Sequence, residues 1–498
     1  MTVLASVIDP RTPAYLQNRS SMLQRLAAFE AACDAARAGG GEKWVTRHHA
    51  RGKLLPRERV ELLLDQDTPF LELAPTAAWG SDFAVGASVV TGIGVVEGVE
   101  CVVVATDPTV DGGAVNPYTE DKICRAIRIA TINRLPLINL VESVGGPAAR
   151  SSGRTGEPHG PGSAPGEPLA QALVALTAAR VPTVCVVFGE TVGDAAYLPA
   201  LSDFTIMVRG HARLSTAYLQ AAGPVANGRA VNDLRDPLAA GADRLGGWAD
   251  RSVTDLASPA DQLAEDERDA LRLARQCVRR FNWRKLGPGP RTTAPPAPGH
   301  DPEDLLTVVD ADPASAFEPR ELLARVLDDS DFDEFKPTFG PALVAGWGQL
   351  HGYPVAVLAS TGARFGAAET HKAVHLIQLA DNAATPLLFV QHAAGPDETS
   401  DGADEPGAPL ARSVAASTVP HLVVTTGATA YDVGAQLPAR AREPRFAFRW
   451  PAQQPHPDLP PDDGVIDPRD TRTVLGLCLS AIHSAAVEGA GTAGASRP

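Results

Sequence analysis

Apolar residues recur at helical spacing through residues 14–40. Leu16, Leu23, Leu26, Ala27 and Ala31 form one stripe that stops at Gly39-Gly40-Gly41. No strand precedes that glycine run and no helix opens from it, so it reads as a helix stop rather than a phosphate loop. The stretch ARGKLLPRERVELLLD (50–65) predicts a basic turn leading into a helix with Pro56 near its first turn. From Thr91 the period changes, and TGIGVVEGVECVVVATDPT reads as a hairpin followed by a buried strand. Residues 125–143 give a helix, Pro136 and an apolar strand, and residues 169–189 repeat that layout. Helices alternating with short apolar strands predict βαβ units and a mainly parallel sheet, hence an α/β fold. Val184–Phe188 is an unbroken apolar run between Pro182 and Gly189, suited to a strand covered on both faces. Gly189 is expected to break it. Gly193-Asp194-Ala195-Ala196-Tyr197 then reads as the opening turn of a helix, whose N–H groups and positive dipole end suit an anion or a developing oxyanion.

Further along, the pattern repeats. GPGPRTTAPPAPGHDP (287–302) has the composition of a linker. After it, GWGQLHGYPVAVLAS answers GIGVVEGVECVVVAT, with Gly92, Gly94, Gly98 and Ala105 matched in order by Gly346, Gly348, Gly352 and Ala359. LADNAATPLLFVQ (379–391) answers ATINRLPLINLVE, and VPHLVVTTG (419–427) answers VPTVCVVFG (181–189). Three ordered matches point to internal duplication of one βαβ-type unit. The expected organisation is a domain over 1–286, a linker over 287–302 and a second domain over 303–498. Helix starts recur at equivalent places, Gly193–Tyr197 and Ala430–Gly434, which suits chemistry with two oxyanions, one per domain. Residues 155–168 are too rich in Gly and Pro to pack and read as a loop, whereas 263–281 reads as a charged amphipathic helix.

Composition narrows the function. A chain of 498 residues exceeds one ordinary core, and 44% hydrophobic with 21% charged residues is globular usage. A net charge of −15 argues against nucleic acid or an anionic membrane surface, yet leaves room for an acyl-CoA on a local basic patch. The six cysteines are far apart, with no CxxC pair, which suits reduced core thiols in a cytoplasm. No run approaches ~18 apolar residues, and Met1–Leu16 lacks a basic-then-apolar signal pattern. His371 and His375 have the spacing of a zinc pair on a helix, but only Glu369 stands near as a third ligand, so no metal is expected. The acidic stretch 396–407 reads as solvent-facing chain.

In these segments the chain resembles the carboxyltransferase (β) subunits of biotin-dependent acyl-CoA carboxylases, most like the methylcrotonyl-CoA type. ARGKLLPRERVELLLD, GIGVVEGVECVVVATDPTVDGGA, INRLPLINLVESVGG, LHGYPVAVLAS, TPLLFVQ, REPRFAFRWP and DDGVIDPRDTRTVLGLCLSA carry the resemblance over nearly the whole chain. It implies two crotonase-like ββα superhelical domains and a homo-oligomer, from dimer to hexamer, with active sites between the N-domain of one subunit and the C-domain of another. It also implies an acyl-CoA substrate, no tightly bound cofactor, and carboxybiotin carried by a biotin carboxylase/biotin carrier α subunit. The family mechanism has backbone N–H pairs at the two helix starts hold two oxyanions while biotin enolate takes the α-proton. The catalytic positions implied here are Asp194 and Ala195 in the first helix start and Tyr431 and Asp432 in the second. The acyl-CoA side is implied at Gly112, Gly113, Ser143, Gly145, Gly146, Gly193 and Tyr197. Lys372 matches a family lysine, and a solvated helix lysine is the other reading.

The departures fall on the chemistry. Where the family has T-A-G-G-A-Y, this chain has Val192-Gly193-Asp194-Ala195-Ala196-Tyr197, and D-S-G-G-A has become Glu142-Ser143-Val144-Gly145-Gly146. Where it has G-G-S-F-G-A-G-N-Y, Gly427–Ala435 reads GATAYDVGA; Asp111 replaces the lysine of T-V-K-G-G, and the segment after W-P is missing. Replacing glycine by alanine or aspartate keeps the N–H donor and changes charge. A carboxylate a few Å from an oxyanion costs ~1–4 kcal/mol at intermediate dielectric. Asp194 and Asp432 therefore read either as helix caps or as an acid or base for a different reaction. The functional expectation is an enzyme like an acyl-CoA carboxylase carboxyltransferase subunit. The alternatives are a repurposed crotonase-like decarboxylase, hydrolase or acyl transferase, and a non-catalytic acyl-CoA-binding paralogue.

Overall fold

The computed structural model describes residues 2–144, 169–215, 251–252, 260–311, 317–363, 365–393, 407–427, 437–452 and 462–489. The first apolar stripe forms the helix Pro13–Arg37, and the proline-led basic stretch forms Pro56–Leu63. Two compact units divide the chain, one of Ala32–Arg284 and the other of Met1–Ala31 with Lys285–Pro498. Residues 287–302 group with the second unit and are tied down there. Gly287 N–H donates to His483 O at 2.9 Å, Arg291 N–H to Gly352 O at 2.8 Å, and Gly299 N–H to Ser330 Oγ at 2.8 Å.

In the unit Ala32–Arg284, β1 (Val89–Val96) and β2 (Val99–Thr106) form an antiparallel hairpin. Helix α1 (Pro117–Asn133), β3 (Leu137–Ser143), helix α2 (Leu169–Ala178), β4 (Thr183–Val192) and β5 (Phe204–Val208) follow. Strands β2, β3, β4 and β5 are parallel neighbours, and Gln262–Ala264 extends the sheet beyond β5. One face packs Val60, Leu63, Leu271, Ala274 and Val278 from two helices against Val103, Ile138, Val186, Phe188 and Ile206. Strand β4 does not stop at Gly189. Beyond it, Glu190–Val192 gain a new ladder partner in Arg213–Ser215, so the strand runs three residues past Gly189.

In the second unit, β6 (Leu343–Leu350), β7 (Tyr353–Ser360), α3 (Ala367–Asn382), β8 (Leu387–Ala393), α4 (Gly407–Ala416), β9 (His421–Gly427) and β10 (Phe446–Arg449) repeat the order. Hairpin β6–β7 is antiparallel, and β7, β8, β9 and β10 are parallel.

The matched glycines have a shared cause. A Cβ at Gly92 would stand 2.3 Å from Phe70 Cζ, and one at Gly346 would stand 2.6 Å from Phe332 Cζ. In each unit a short strand beside the hairpin, Leu71–Leu73 or Asp331–Glu334, brings a phenylalanine, Phe70 before the one and Phe332 within the other, across the hairpin there. The hairpin turns are also alike. Glu97 and Gly98 have φ of 52° and 76°, His351 and Gly352 of 50° and 78°, the two left-handed residues of a tight strand turn.

Side chains lock both turns identically. The Asp65 carboxylate accepts from the N–H groups of Glu97 (2.9 Å) and Gly98 (2.8 Å), and Asp328 accepts from His351 (2.8 Å) and Gly352 (2.7 Å). Arg275 then reaches Asp65 and Leu63 O, while Arg472 reaches Asp328 and Val326 O. Arg57 pairs with Glu72 and Arg320 with Glu334, both at 2.6 Å. Finally Lys122 donates to Val89 O at 2.8 Å and Lys372 to Leu343 O at 2.7 Å, each at the first residue of its hairpin. Lys372 is thus a buried strut rather than a solvated lysine, and burial pushes its ammonium pKa down. Burial brings Lys122 to about 8.

Candidate functional site

In the unit Ala32–Arg284 the C-terminal ends of β3 and β4 lie side by side. Their register shifts between Val141 and Ser143, so that Ser143 pairs with Thr191 and Glu142 occupies the irregular position. Two residues beyond Thr191 the chain turns at Gly193, whose φ of 63° is the left-handed conformation glycine adopts without strain. Gly193–Ala196 makes one 3₁₀ turn running into Tyr197–Ala200. The first amides of such a turn have no acceptor within it.

Ala195 and Ala196 are buried, and Asp194 is half-buried one position inside the turn. Its carboxylate makes no hydrogen bond to another described residue, so the capping reading is not realised: Val192 is the capping position, without a side-chain bond. Burial, and then the Asp194 charge, push the Tyr197 phenol pKa up.

A second turn closes on β3 from the side. Asp111–Gly113 is a 3₁₀ turn in which Gly112 and Gly113 have φ of 70° and 75°. Ser143, wholly buried, donates Oγ–H to Gly113 O at 2.6 Å, and Val144 N–H donates to Gly112 O at 3.0 Å. The fit is close at both glycines: a Cβ at Gly113 would stand 2.6 Å from Glu142 O, and one at Gly112 2.6 Å from Val144 Cγ2. Thr106 completes the junction, its Oγ1 accepting from Glu142 N–H (2.8 Å) and its hydroxyl donating to Glu142 O (2.9 Å). Gly112, Gly113 and Ser143 are thereby brought together at the end of β3. Gly145, Gly146, Tyr431 and Asp432 lie outside the described residues.

Below this junction sits a charge cluster that sequence reasoning missed. Arg59, wholly buried, donates to Glu142 at 2.9 Å and to both Glu267 oxygens at 2.8 and 2.9 Å, and lies 4.1 Å from the centre of the Phe188 ring. Lys53 pairs with the other Glu142 oxygen. Burial alone pushes the Glu142 carboxyl pKa up, but the charges and hydrogen bonds of Arg59 and Lys53 outweigh it and hold it below the usual range. Gly189 makes room: a Cβ there would stand 2.5 Å from Glu142 Oε1. The run RGKLLPRER showed the cations, but nothing local foretold partners 83 and 208 residues away.

The second unit keeps the junction and changes its contents. His392 takes the place of Glu142, its N–H donating to Ser360 Oγ at 3.0 Å as Glu142 does to Thr106. The imidazole stacks on Phe317 at 4.8 Å with its Nδ1 3.1 Å from Thr426 Oγ1, and burial lowers its pKa to about 4. Leu322 stands where the first unit has Arg59 on the proline-led helix. His375 packs edge-on against Phe335 at 5.2 Å, whereas His371 is exposed. Among the described residues, no group of three or more His, Cys, Asp or Glu side chains is placed to hold a metal ion.

A carboxyl transferase domain model matches residues 47–454. The chain is 40% identical to a probable biotin-dependent acyl-coenzyme A carboxylase beta2 subunit of Mycobacterium tuberculosis, covering 99% of this chain and 100% of that one. It is 34% identical to the biotin-dependent 3-methylcrotonyl-coenzyme A carboxylase beta1 subunit of the same organism, covering 90% and 92%. Among solved structures, the beta subunit of geranyl-CoA carboxylase from P. aeruginosa superposes with a TM-score of 0.77 at 28% identity, covering 97% of both chains.

Proposed function

This chain belongs to the carboxyl transferase family, and from that premise we propose that it is the carboxyltransferase (β) subunit of a biotin-dependent acyl-CoA carboxylase. Its two units are crotonase-like domains. The observation that carries the reading is identity extending over the full length of a β subunit.

Within that reading, the first unit takes the acyl-CoA. The thioester carbonyl lies against the amides of Gly193, Asp194 and Ala195 at the end of β4, with Gly112, Gly113, Ser143, Gly145, Gly146 and Tyr197 around it. Breaking the α-carbon C–H bond puts its electron pair into a thioester enolate, and those amides stabilise the oxyanion as it forms. Carboxybiotin, arriving on a partner subunit as co-substrate, breaks its N–C bond to release the carboxyl group as CO2. The biotin enolate left behind takes the α-proton, and the thioester enolate attacks the CO2 to form the new C–C bond. The biotin side is assigned to the second unit at the segment containing Tyr431 and Asp432. Catalysis of this kind needs no acid or base side chain from this chain.

We assign it a homo-oligomeric state and, from its six buried cysteines, far apart in the sequence with no CxxC pair, a cytoplasmic place. The test is ATP- and bicarbonate-dependent carboxylation of acyl-CoAs by this chain with its biotinylated α subunit. Turnover is expected. Tight acyl-CoA binding with no carboxylation beside an active partner overturns the reading.

A further inference from the structure

Resting on the acyl-CoA-side assignment just made, we propose that Val144 gauges the acyl group, setting how large an acyl chain the site accepts. Val144 is 52% exposed, an apolar side chain left open just past a strand whose residues are all buried except the half-buried Glu142. It is nevertheless fixed. Its N–H is bonded to Gly112 O at 3.0 Å, and one face of its side chain lies flat on Gly112, so close that a Cβ there would stand 2.6 Å from Cγ2.

The residues before it hold it further. Ser143 is tied to Gly113 O, and Glu142 is clamped by Arg59, Lys53 and Thr106. A β-branched side chain on so constrained a backbone has few rotamers open to it, so it offers a surface of constant size.

Its position identifies the occupant. Ser143 pairs with Thr191, which sets Val144 level with Val192, the residue that enters the Gly193 turn. A thioester whose carbonyl lies on that turn has its acyl chain as the apolar group nearest to Val144. A polar ligand would leave the valine surface wet. An apolar wall residue discriminates by roughly 10- to 200-fold per methylene, enough to separate short from long acyl groups.

The test is calorimetric titration of the full chain with acetyl-, butyryl- and octanoyl-CoA, comparing wild type with Val144→Gly, Val144→Ala and Val144→Phe. The reading is the affinity ratio of octanoyl- to acetyl-CoA within each variant, which does not depend on the fraction folded. We expect the ratio to rise about tenfold or more in Val144→Gly, less in Val144→Ala, and to fall in Val144→Phe. The alanine variant keeps the Cβ restraint on the backbone, so agreement in sign with glycine excludes loosened chain as the cause. Ratios within about twofold of wild type in all three variants, with the thioesters still bound, overturn the role of Val144 and leave the carboxyltransferase reading standing. Failure of wild type to bind any CoA thioester removes both.

Discussion

Arg59, Lys53, Glu142 and Glu267 gather two cations and two carboxylates under the end of β3, and their value lies in being complete. Removing one member leaves a buried charge uncompensated, which costs about 3–5 kcal/mol. Glu142→Gln should lose about that much in denaturant titration, and its stability should also respond differently to acid. Because the folded carboxyl pKa is depressed, Glu142 stabilises above the unfolded value and that share is lost as pH falls through the folded one. The glutamine variant should therefore show a shallower decline below about pH 4.5 than wild type. Two buried imidazoles act in a higher range. Burial lowers His392 and His421 to about 4, so the unfolded chain binds more protons between roughly pH 6.5 and 4 and stability falls as pH drops through that window. Each contributes about 1.4 kcal/mol per pH unit; His421→Gln should remove one share, seen as a flatter plot of Tm against pH. Asp194 tests the chemistry itself. With amides as the catalysts, Asp194→Gly should keep or raise carboxylation, by up to about tenfold, because it removes a negative charge beside the oxyanion. A loss of two or more powers of ten in kcat would instead make Asp194 an acid or base.

At the scale of elements, the hairpin and its lock form the unit that was copied. Gly92→Ala and Gly346→Ala should each cost about 1–3 kcal/mol in denaturant midpoint, since a crossing phenylalanine must move; Gly289→Ala, with nothing within 4 Å of its Cβ, is the neutral control. Asp65→Ala and Asp328→Ala should cost about 1–3 kcal/mol each by orphaning two turn amides. Much of this was legible beforehand. The alternation of helices and apolar runs gave the order of elements, and glycine spacing gave the duplication. What escaped was long-range and polar. Pro56-Arg57-Glu58 and Pro319-Arg320-Glu321 are identical tripeptides, a signal that would have extended the repeat to both proline-led helices. Periodicity, however, weighs apolar positions and is silent on which carboxylate an arginine will meet. The strand beyond Gly189 escaped for a similar reason, since it exists only because Arg213–Ser215 comes to pair with it. Gly112, Gly113 and Ser143 were placed by resemblance, yet the hydroxyl-to-carbonyl bond that joins them needed coordinates.

For the whole molecule, the repeat separates what must be preserved from what was free to change. Hairpin, turn lock, lysine strut and arginine–glutamate pair occur in both units, whereas the contents of the strand-end junction differ, Glu142 with two cations in one and His392 against an aromatic ring in the other. Divergence concentrated at one structural position is what two different ligands would produce. If the active site draws on more than one subunit, the chain should sediment at micromolar concentration as a dimer or larger; a strict monomer would exclude a composite site. The turn locks also bear on how the protein is made. Asp65 waits for Arg275, 210 residues later, and Val326 O waits for Arg472, 146 residues later. A ribosome adding about 5–20 residues per second therefore leaves the first hairpin unlatched for some ten seconds or more, its edge open while the rest of its unit emerges. Slow decoding within the first unit would lengthen that exposure, whereas slow decoding just after Arg284 would let the first latch close before the second hairpin is synthesised.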